Sequence, residues 1–158
     1  MKTLVLLRHA KTEGQSLIKS DFDRQLTDVG KARQLKISEK LISLGVQPGI
    51  ILCSPAKRTK ETLDELLSAT KWSAPVHFID SLYHASASEI LNTIKSFETD
   101  NSSLMVIGHN FGISNLANLL SQSGAEEMPT SGVHIITFES DIDLYQGILK
   151  HSLRPKNI

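Results

Sequence analysis

The chain has 158 residues, of which 40% are apolar and 5% aromatic, which suffices for one domain with a real core. Lys and Arg (17) balance Asp and Glu (17), so charge gives no reason to expect nucleic acid or a membrane as partner. The single cysteine, Cys53, excludes an internal disulfide and is typical of a reducing compartment. We therefore expect a cytoplasmic monomer with a single domain over residues 1–158 and no signal peptide.

The chain opens on an apolar run, residues 4–7, that leads directly into Arg8 and His9. The run shows no alternation, which predicts a strand buried on both faces. Ligands of open α/β sheets bind at the carboxyl ends of the strands, and a cation beside an imidazole at that place suits phosphate. The plain alternative is a buried strand that ends in two polar residues on its way to solvent.

A long polar loop follows, and Thr27 then has the character of a helix N-cap, with Gly45 closing the helix. The apolar positions of this helix predict a broad buried face: Ala32, Leu35, Ile37, Leu41, Ile42 and Leu44. Residues 50–53 are predicted to form a second apolar strand. Ser54 is predicted to cap the next helix with Pro55 at its first position, which places Arg58 in the first helical turn.

Further strands are predicted at residues 76–79, 104–107, 133–138 and 144–149. Ser86 and Glu89 have the spacing of a capping box, and a further helix is expected to begin near Asn110. The short link between the last two strands favours an antiparallel hairpin. The order of elements predicts an α/β fold with three layers, α/β/α, and a mostly parallel sheet of about six strands with an antiparallel edge.

Basic side chains follow three of the predicted strands: Arg8 with His9, then Arg58, then His109. We expect these groups to converge at one edge of the sheet. Arginine offers a planar, charged fork to phosphoryl oxygens, and a neutral imidazole can attack phosphorus. The spacing therefore predicts phosphoryl transfer, with His9 as the nucleophile.

The sequences Leu-Arg-His-Ala at residues 7–10, Ser-Pro-Ala-Lys-Arg-Thr at 54–59 and Gly-His-Asn at 108–110 resemble the signature motifs of the histidine phosphatase superfamily, the phosphoglycerate mutase-like family. The short length and residues 23–30 and 82–85 further resemble its small SixA-type phosphohistidine phosphatases. Two positions depart from the pattern: Phe111 and Gln25 stand where proline is common.

The resemblance implies that His9 carries the phosphoryl group as phosphohistidine while Arg8, Arg58 and His109 surround its oxygens. It implies neither metal nor other cofactor, and the six histidines show no metal-ligand spacing. Lys11 belongs to the loop beside His9 and is a candidate for substrate binding. Asp80 is the candidate proton donor, with a turn carboxylate as the alternative.

The expected substrate is a phosphorylated protein of the histidine phosphotransfer type, because an open site without a lid admits a protein-borne imidazole. Two alternatives stay open: a small phosphomonoester, or a phosphate-binding module without turnover. Thr130, Ser131 and Gly132 are further candidates, because their backbone could approach the phosphate.

Overall fold

Six strands form one sheet in the computed structural model, which describes residues 1–158, and their spatial order is β3-β2-β4-β1-β5-β6. The strands are β1 (Lys2–Arg8), β2 (Ile50–Cys53), β3 (Val76–Phe78), β4 (Ser103–Gly108), β5 (Val133–Phe138) and β6 (Ile148–Leu153). The first four strands run parallel, whereas β5 is antiparallel to both of its neighbours. The predicted fold class, a mostly parallel sheet with an antiparallel edge, is confirmed.

The helices cover the two faces of this sheet. They are α1 (Asp28–Ser43), α2 (Lys57–Thr70), α3 (Ala87–Lys95) and α4 (Gly112–Leu120). Alternate residues of β1 point to opposite faces, so Val5 packs with α1 and α2 whereas Leu6 packs with α3 and α4. Each cluster buries the apolar side of its helix pair, which produces the expected three layers. None of the helices combines the length and the apolar character needed to span a bilayer.

Two predicted helix starts agree with the structure. The Thr27 hydroxyl accepts a hydrogen bond from the Gly30 amide at 3.0 Å, and Ser86 and Glu89 form the complete capping box. Each cap satisfies amide groups that the first helical turn leaves without a partner. The N-termini of α1 and α3 were therefore predicted correctly from the sequence.

The buried face of α1 is narrower and more polar than predicted. Leu35 and Ile42 are each 46% exposed, whereas Gln34 and Ser38 are fully buried. The amide oxygen of Gln34 accepts a hydrogen bond from the Ser131 hydroxyl at 2.8 Å, which ties α1 to the segment before β5. The prediction of a broad apolar face was wrong because this partner, distant in sequence, selects which side of the helix is buried.

The last strand lies later in the chain than predicted. The hairpin of β5 and β6 is antiparallel as expected, but β6 spans Ile148–Leu153 and the link between the strands spans residues 139–147. The link buries Ile142 and packs Gly147 against β5, while most of β6 is exposed. An exposed edge strand carries no continuous apolar run, so apolar residues of the link were mistaken for the strand.

Candidate active site

His9 directly follows the end of β1, and a hydrogen bond holds its ring in one orientation. The ring is 5% exposed, and its Nδ1 lies 2.8 Å from the carbonyl oxygen of Ala10. A carbonyl oxygen can only accept, so Nδ1 carries the hydrogen and Nε2 keeps its lone pair. Burial, together with the charges of Arg58 and Arg8, lowers the pKa of His9 to about 3. The imidazole is therefore neutral at pH 7, with its lone pair on Nε2.

Hydrogen bonds on both sides fix the backbone around His9. The amide of Ala10 donates to the Thr62 hydroxyl at 2.9 Å, and that hydroxyl donates to the Arg58 carbonyl at 2.7 Å. On the other side, the amide of Ser131 donates to the carbonyl oxygen of His9 at 3.0 Å. The strand exit is thereby tied to α2 and to the segment before β5, as an accurately placed side chain requires.

Arg58 lies in the first turn of α2, as predicted, but the helix begins two residues later than predicted. Ala56 is the N-cap and Lys57 the first helical residue, whereas Ser54 and Pro55 precede the helix. Arg58 is only 3% exposed. Its guanidinium donates from Nη1 to the Asp21 carbonyl at 2.7 Å and from Nη2 to the Asp21 carboxylate at 3.1 Å.

Ser54 holds His109 instead of capping α2. Its hydroxyl lies 2.7 Å from Nε2 of His109, which follows the end of β4 and is 5% exposed. Because β2 and β4 are paired in parallel, their exits lie side by side and this contact is local to the sheet edge. Burial, with the neighbouring His9 and Arg58, lowers the pKa of His109 to about 2, so this ring is also neutral.

Asp21 is the residue of the site that the sequence reasoning missed. It begins a short 3-10 helix in the long loop after β1, and its carboxylate also accepts from the Tyr83 hydroxyl at 2.6 Å and from Arg24 Nε at 3.0 Å. The hydrogen bond from Tyr83 and the charge and hydrogen bonds of Arg58 outweigh partial burial and lower the pKa of Asp21 to about 2. The carboxylate is therefore ionised and holds Arg58 in place.

Three nitrogen atoms of the site remain without a partner inside the protein. Nε of Arg8, Nε of Arg58 and Nδ1 of His109 are buried and make no hydrogen bond, although Nη1 of Arg8 donates to the Met128 carbonyl at 3.1 Å. The rings of His9 and His109 are 5.4 Å apart between centroids. Buried polar groups normally have partners, so three unpaired groups around one histidine suit an anionic ligand with several acceptor oxygens.

The structure therefore brings Arg8, His9, Arg58 and His109 together. Lys11 is exposed, and its side chain makes no hydrogen bond or ion pair; its carbonyl instead accepts from the Thr27 amide at 3.0 Å.

Asp80 is exposed and starts a short 3-10 helix, and its side chain likewise makes no hydrogen bond or ion pair. The amide of Ser131 is already used by the carbonyls of Arg8 and His9, so the backbone approach considered for residues 130–132 is not free at that position.

The rim beyond His109 is formed by the start of α4. The helix begins at Gly112 with Phe111 as its N-cap, which agrees with the predicted start near Asn110. Phe111, which takes the place of the proline common at this position, is 67% exposed. The side-chain Nδ2 of Asn110 donates to the Met128 carbonyl at 3.2 Å. No group of three or more His, Cys, Asp or Glu side chains is arranged to hold a metal ion.

The basic pocket lies at the carboxyl ends of β1, β2 and β4. With this fold, it is typical of α/β proteins that bind phosphate groups. A family model described as "Histidine phosphatase superfamily (branch 1)" matches residues 4–89. The chain belongs to the histidine phosphatase superfamily. An uncharacterised chloroplast protein of Arabidopsis thaliana is 38% identical over 129 residues, which cover 76% of this chain and 59% of that relative.

Solved structures give the same fold. A structure provisionally described as the phosphohistidine phosphatase SixA of Agrobacterium tumefaciens superposes with a TM-score of 0.83 at 27% identity and covers 98% of both chains. A tungstate complex of the protein histidine phosphatase SixA gives a TM-score of 0.85 at 20% identity over 98% of both chains. The chain is thus a SixA-type member of the superfamily by fold.

Proposed function

We propose that this phosphatase removes the phosphoryl group from phosphohistidine in proteins, with His9 as a covalent nucleophile. The observation that carries the proposal is the state of His9. Its Nδ1 hydrogen is engaged by the Ala10 carbonyl, so the lone pair of Nε2 is the only one available to attack phosphorus. A low pKa keeps that lone pair unprotonated at neutral pH, so no general base is needed to activate it.

The reaction takes two displacements in this proposal. Nε2 of His9 attacks phosphorus, the bond between phosphorus and the substrate imidazole breaks, and that imidazole leaves with its electron pair. A water molecule then attacks the phosphorus of phosphorylated His9, loses a proton to solvent, and releases inorganic phosphate. His9 returns to its neutral form, still donating from Nδ1 to the Ala10 carbonyl.

Arg8, Arg58 and His109 stabilise the charge that the phosphoryl oxygens carry through both displacements. Their unpaired nitrogens are Nε of each arginine and Nδ1 of His109, which donates in the tautomer that carries its hydrogen there. Arg8 and Arg58 are held in place by the hydrogen bonds that they donate to the Met128 carbonyl and to Asp21, and His109 by the contact of its Nε2 with the Ser54 hydroxyl. Donors that are fixed before the reaction cost no reorganisation when charge develops. A dianionic phosphoryl group also favours the protonated form of His109, which strengthens this donor once substrate is bound.

Neither carboxylate considered for the site can act as a general acid, and this favours a substrate whose leaving group is an imidazole. An alkoxide is a poor leaving group and needs a general acid. Asp21 is ionised by its contacts with Tyr83 and Arg58 and cannot donate a proton near neutral pH. Asp80 is exposed, and its side chain makes no hydrogen bond or ion pair with the four basic residues. An imidazole whose second nitrogen is already protonated leaves as a neutral molecule and needs no such donor. The resemblance to the Agrobacterium protein described as a phosphohistidine phosphatase supports the same substrate class.

The test compares two peptides of identical sequence, one with phosphohistidine and one with phosphoserine at the central position. We expect kcat/KM for the phosphohistidine peptide to exceed that for the phosphoserine peptide by at least about a hundred-fold, because general-acid assistance is worth about 10² to 10⁴ in rate. A small phosphomonoester, such as phosphoserine itself, serves as a third substrate. Faster turnover of either ester would contradict the proposed substrate class.

A further inference from the structure

A basic cleft lies at the same edge of the molecule as the active site. Its lining combines two residues of the second and third turns of α1, three residues after β6 and two residues of the segment before β5: Arg33, Lys36, Pro129, Thr130, Arg154, Pro155 and Lys156. The cleft measures about 460 Å³, and no carboxylate contributes to its lining. Four positive charges thus surround one depression in a chain whose net charge is zero.

Most of this charge is free to meet a partner. Arg33, Lys36 and Lys156 are exposed and form no ion pair, whereas Arg154 donates to the Glu126 carboxylate at 3.3 Å and to the Glu127 carbonyl at 2.9 Å. Fixed like charges that lack counter-charges create a local positive potential, which attracts an anionic surface. Three of the four charges of the cleft are therefore not engaged by carboxylates of this chain.

The segment before β5 joins the cleft to the active site. Met128 accepts from Arg8 through its carbonyl, and the Ser131 amide donates to the Arg8 carbonyl at 3.1 Å. Pro129 and Thr130, which line the cleft, are therefore flanked on both sides by residues bonded to Arg8. Leu7 and Leu153 both pair with Val133, which places the start of the residues after β6 two strands from the exit of β1. Two strand spacings are about 10 Å.

We propose that the basic cleft docks an acidic surface that flanks the phosphohistidine of the protein substrate. The inference rests on the proposed function: a protein that presents phosphohistidine to His9 must cover the surface about 10 Å away. Carboxylates beside the phosphohistidine would meet Arg33, Lys36 and Lys156 there. No aromatic side chain lines the cleft, so it lacks the stacking platform typical of single-stranded nucleic acid sites.

The experiment uses two phosphohistidine peptides of equal length, one flanked by four glutamates and the other by four glutamines. We expect the acidic peptide to have a KM about ten-fold lower with an unchanged kcat, because a few exposed ion pairs add modest binding energy each. The advantage should shrink as salt is raised. The double variant Arg33→Glu/Lys36→Glu should abolish the preference and favour a lysine-flanked peptide.

A matched double variant, Lys71→Glu/Lys150→Glu, makes the same change of charge at exposed positions outside the cleft. It should keep the preference for the acidic peptide, and both double variants should hydrolyse free phosphohistidine as the parent does.

Equal KM values for the two peptides in the parent, or a preference that survives Arg33→Glu/Lys36→Glu, would overturn the docking proposal alone. Failure to hydrolyse any phosphohistidine compound would instead overturn the proposed function. Loss of single-stranded RNA binding in Arg33→Glu/Lys36→Glu, with no peptide preference in the parent, would assign the cleft to nucleic acid and also overturn docking.

Discussion

The substitution Asp21→Asn separates the charge of Asp21 from its shape. Asn keeps the size of the side chain, and the backbone carbonyl that accepts from Arg58 at 2.7 Å stays in place. The variant loses the negative charge that faces Arg58 at 3.1 Å and Arg24 at 3.0 Å. We expect the guanidinium of Arg58 to become less ordered, because the side-chain acceptor at position 21 loses its negative charge and the ion pair with Arg58 is lost.

The pKa of Asp21 sets the size of the effect on stability. The fall of this pKa from 3.8 to about 2 corresponds to about 2 kcal/mol, and partial exposure of the side chain (27%) reduces it to about 1 to 2 kcal/mol. Because the folded state has the lower pKa, this contribution is complete above the unfolded pKa of about 4 and disappears as pH falls through about 2. The difference between parent and variant should therefore narrow from pH 5 towards pH 3.

Urea denaturation at several pH values measures this difference, and kcat/KM for a phosphohistidine peptide at pH 7 measures the effect on Arg58. We expect Asp21→Asn to lower kcat/KM by about ten- to a hundred-fold, which corresponds to about 1.4 to 2.7 kcal/mol of transition-state stabilisation. Asp23→Asn is the control, since Asp23 lies in the same short helix and its carboxylate bonds only the Ser20 hydroxyl at 2.8 Å. Equal effects of the two substitutions, or a stability difference that does not change with pH, would refute the assigned role of Asp21.

Three further substitutions test other parts of the account. Ser54→Ala leaves Nε2 of His109 without its partner at 2.7 Å, and we expect kcat/KM to fall about ten-fold while the fold is retained. Gly112→Ala would bring a Cβ within 2.0 Å of the Ala85 carbonyl oxygen, so thermal unfolding should show a loss of about 2 to 3 kcal/mol. Asp80→Asn should change kcat/KM less than about two-fold, since an exposed carboxylate outside the pocket donates no proton; a ten-fold loss would identify it as the general acid after all.

The buried strands of the fold were readable from the sequence for a physical reason. The strands β1, β2 and β4 lie inside the sheet and are covered on both faces, so each appears as an uninterrupted apolar run followed by polar residues. The edge strand β6 lacks such a run because most of its side chains face solvent. Its position depends on how the link packs Gly147 against β5, which no local pattern encodes.

The same distinction applies to the site. Each of the four basic residues lies at or just after the end of a strand, or in the first turn of the helix that follows one, so topology alone brings them to one edge of the sheet: Arg8, His9, Arg58 and His109. Asp21 lies in a loop, where no periodicity marks a residue as buried or paired, and its contact with Arg58 spans 37 positions of sequence. Ser54 was assigned to a helix cap because a serine before a proline is typical of one; its contact with His109 depends on the pairing of β2 with β4.

The central claim is that His9 carries the phosphoryl group between two displacements. The most direct measurement incubates the protein with a ³²P-labelled phosphohistidine peptide, stops the reaction in alkali, in which phosphohistidine survives, and maps the labelled residue. We predict label on His9, absent in His9→Ala, and retained longer by a variant that slows hydrolysis, such as Ser54→Ala. Undiminished turnover by His9→Ala, or label on another residue, would contradict the account.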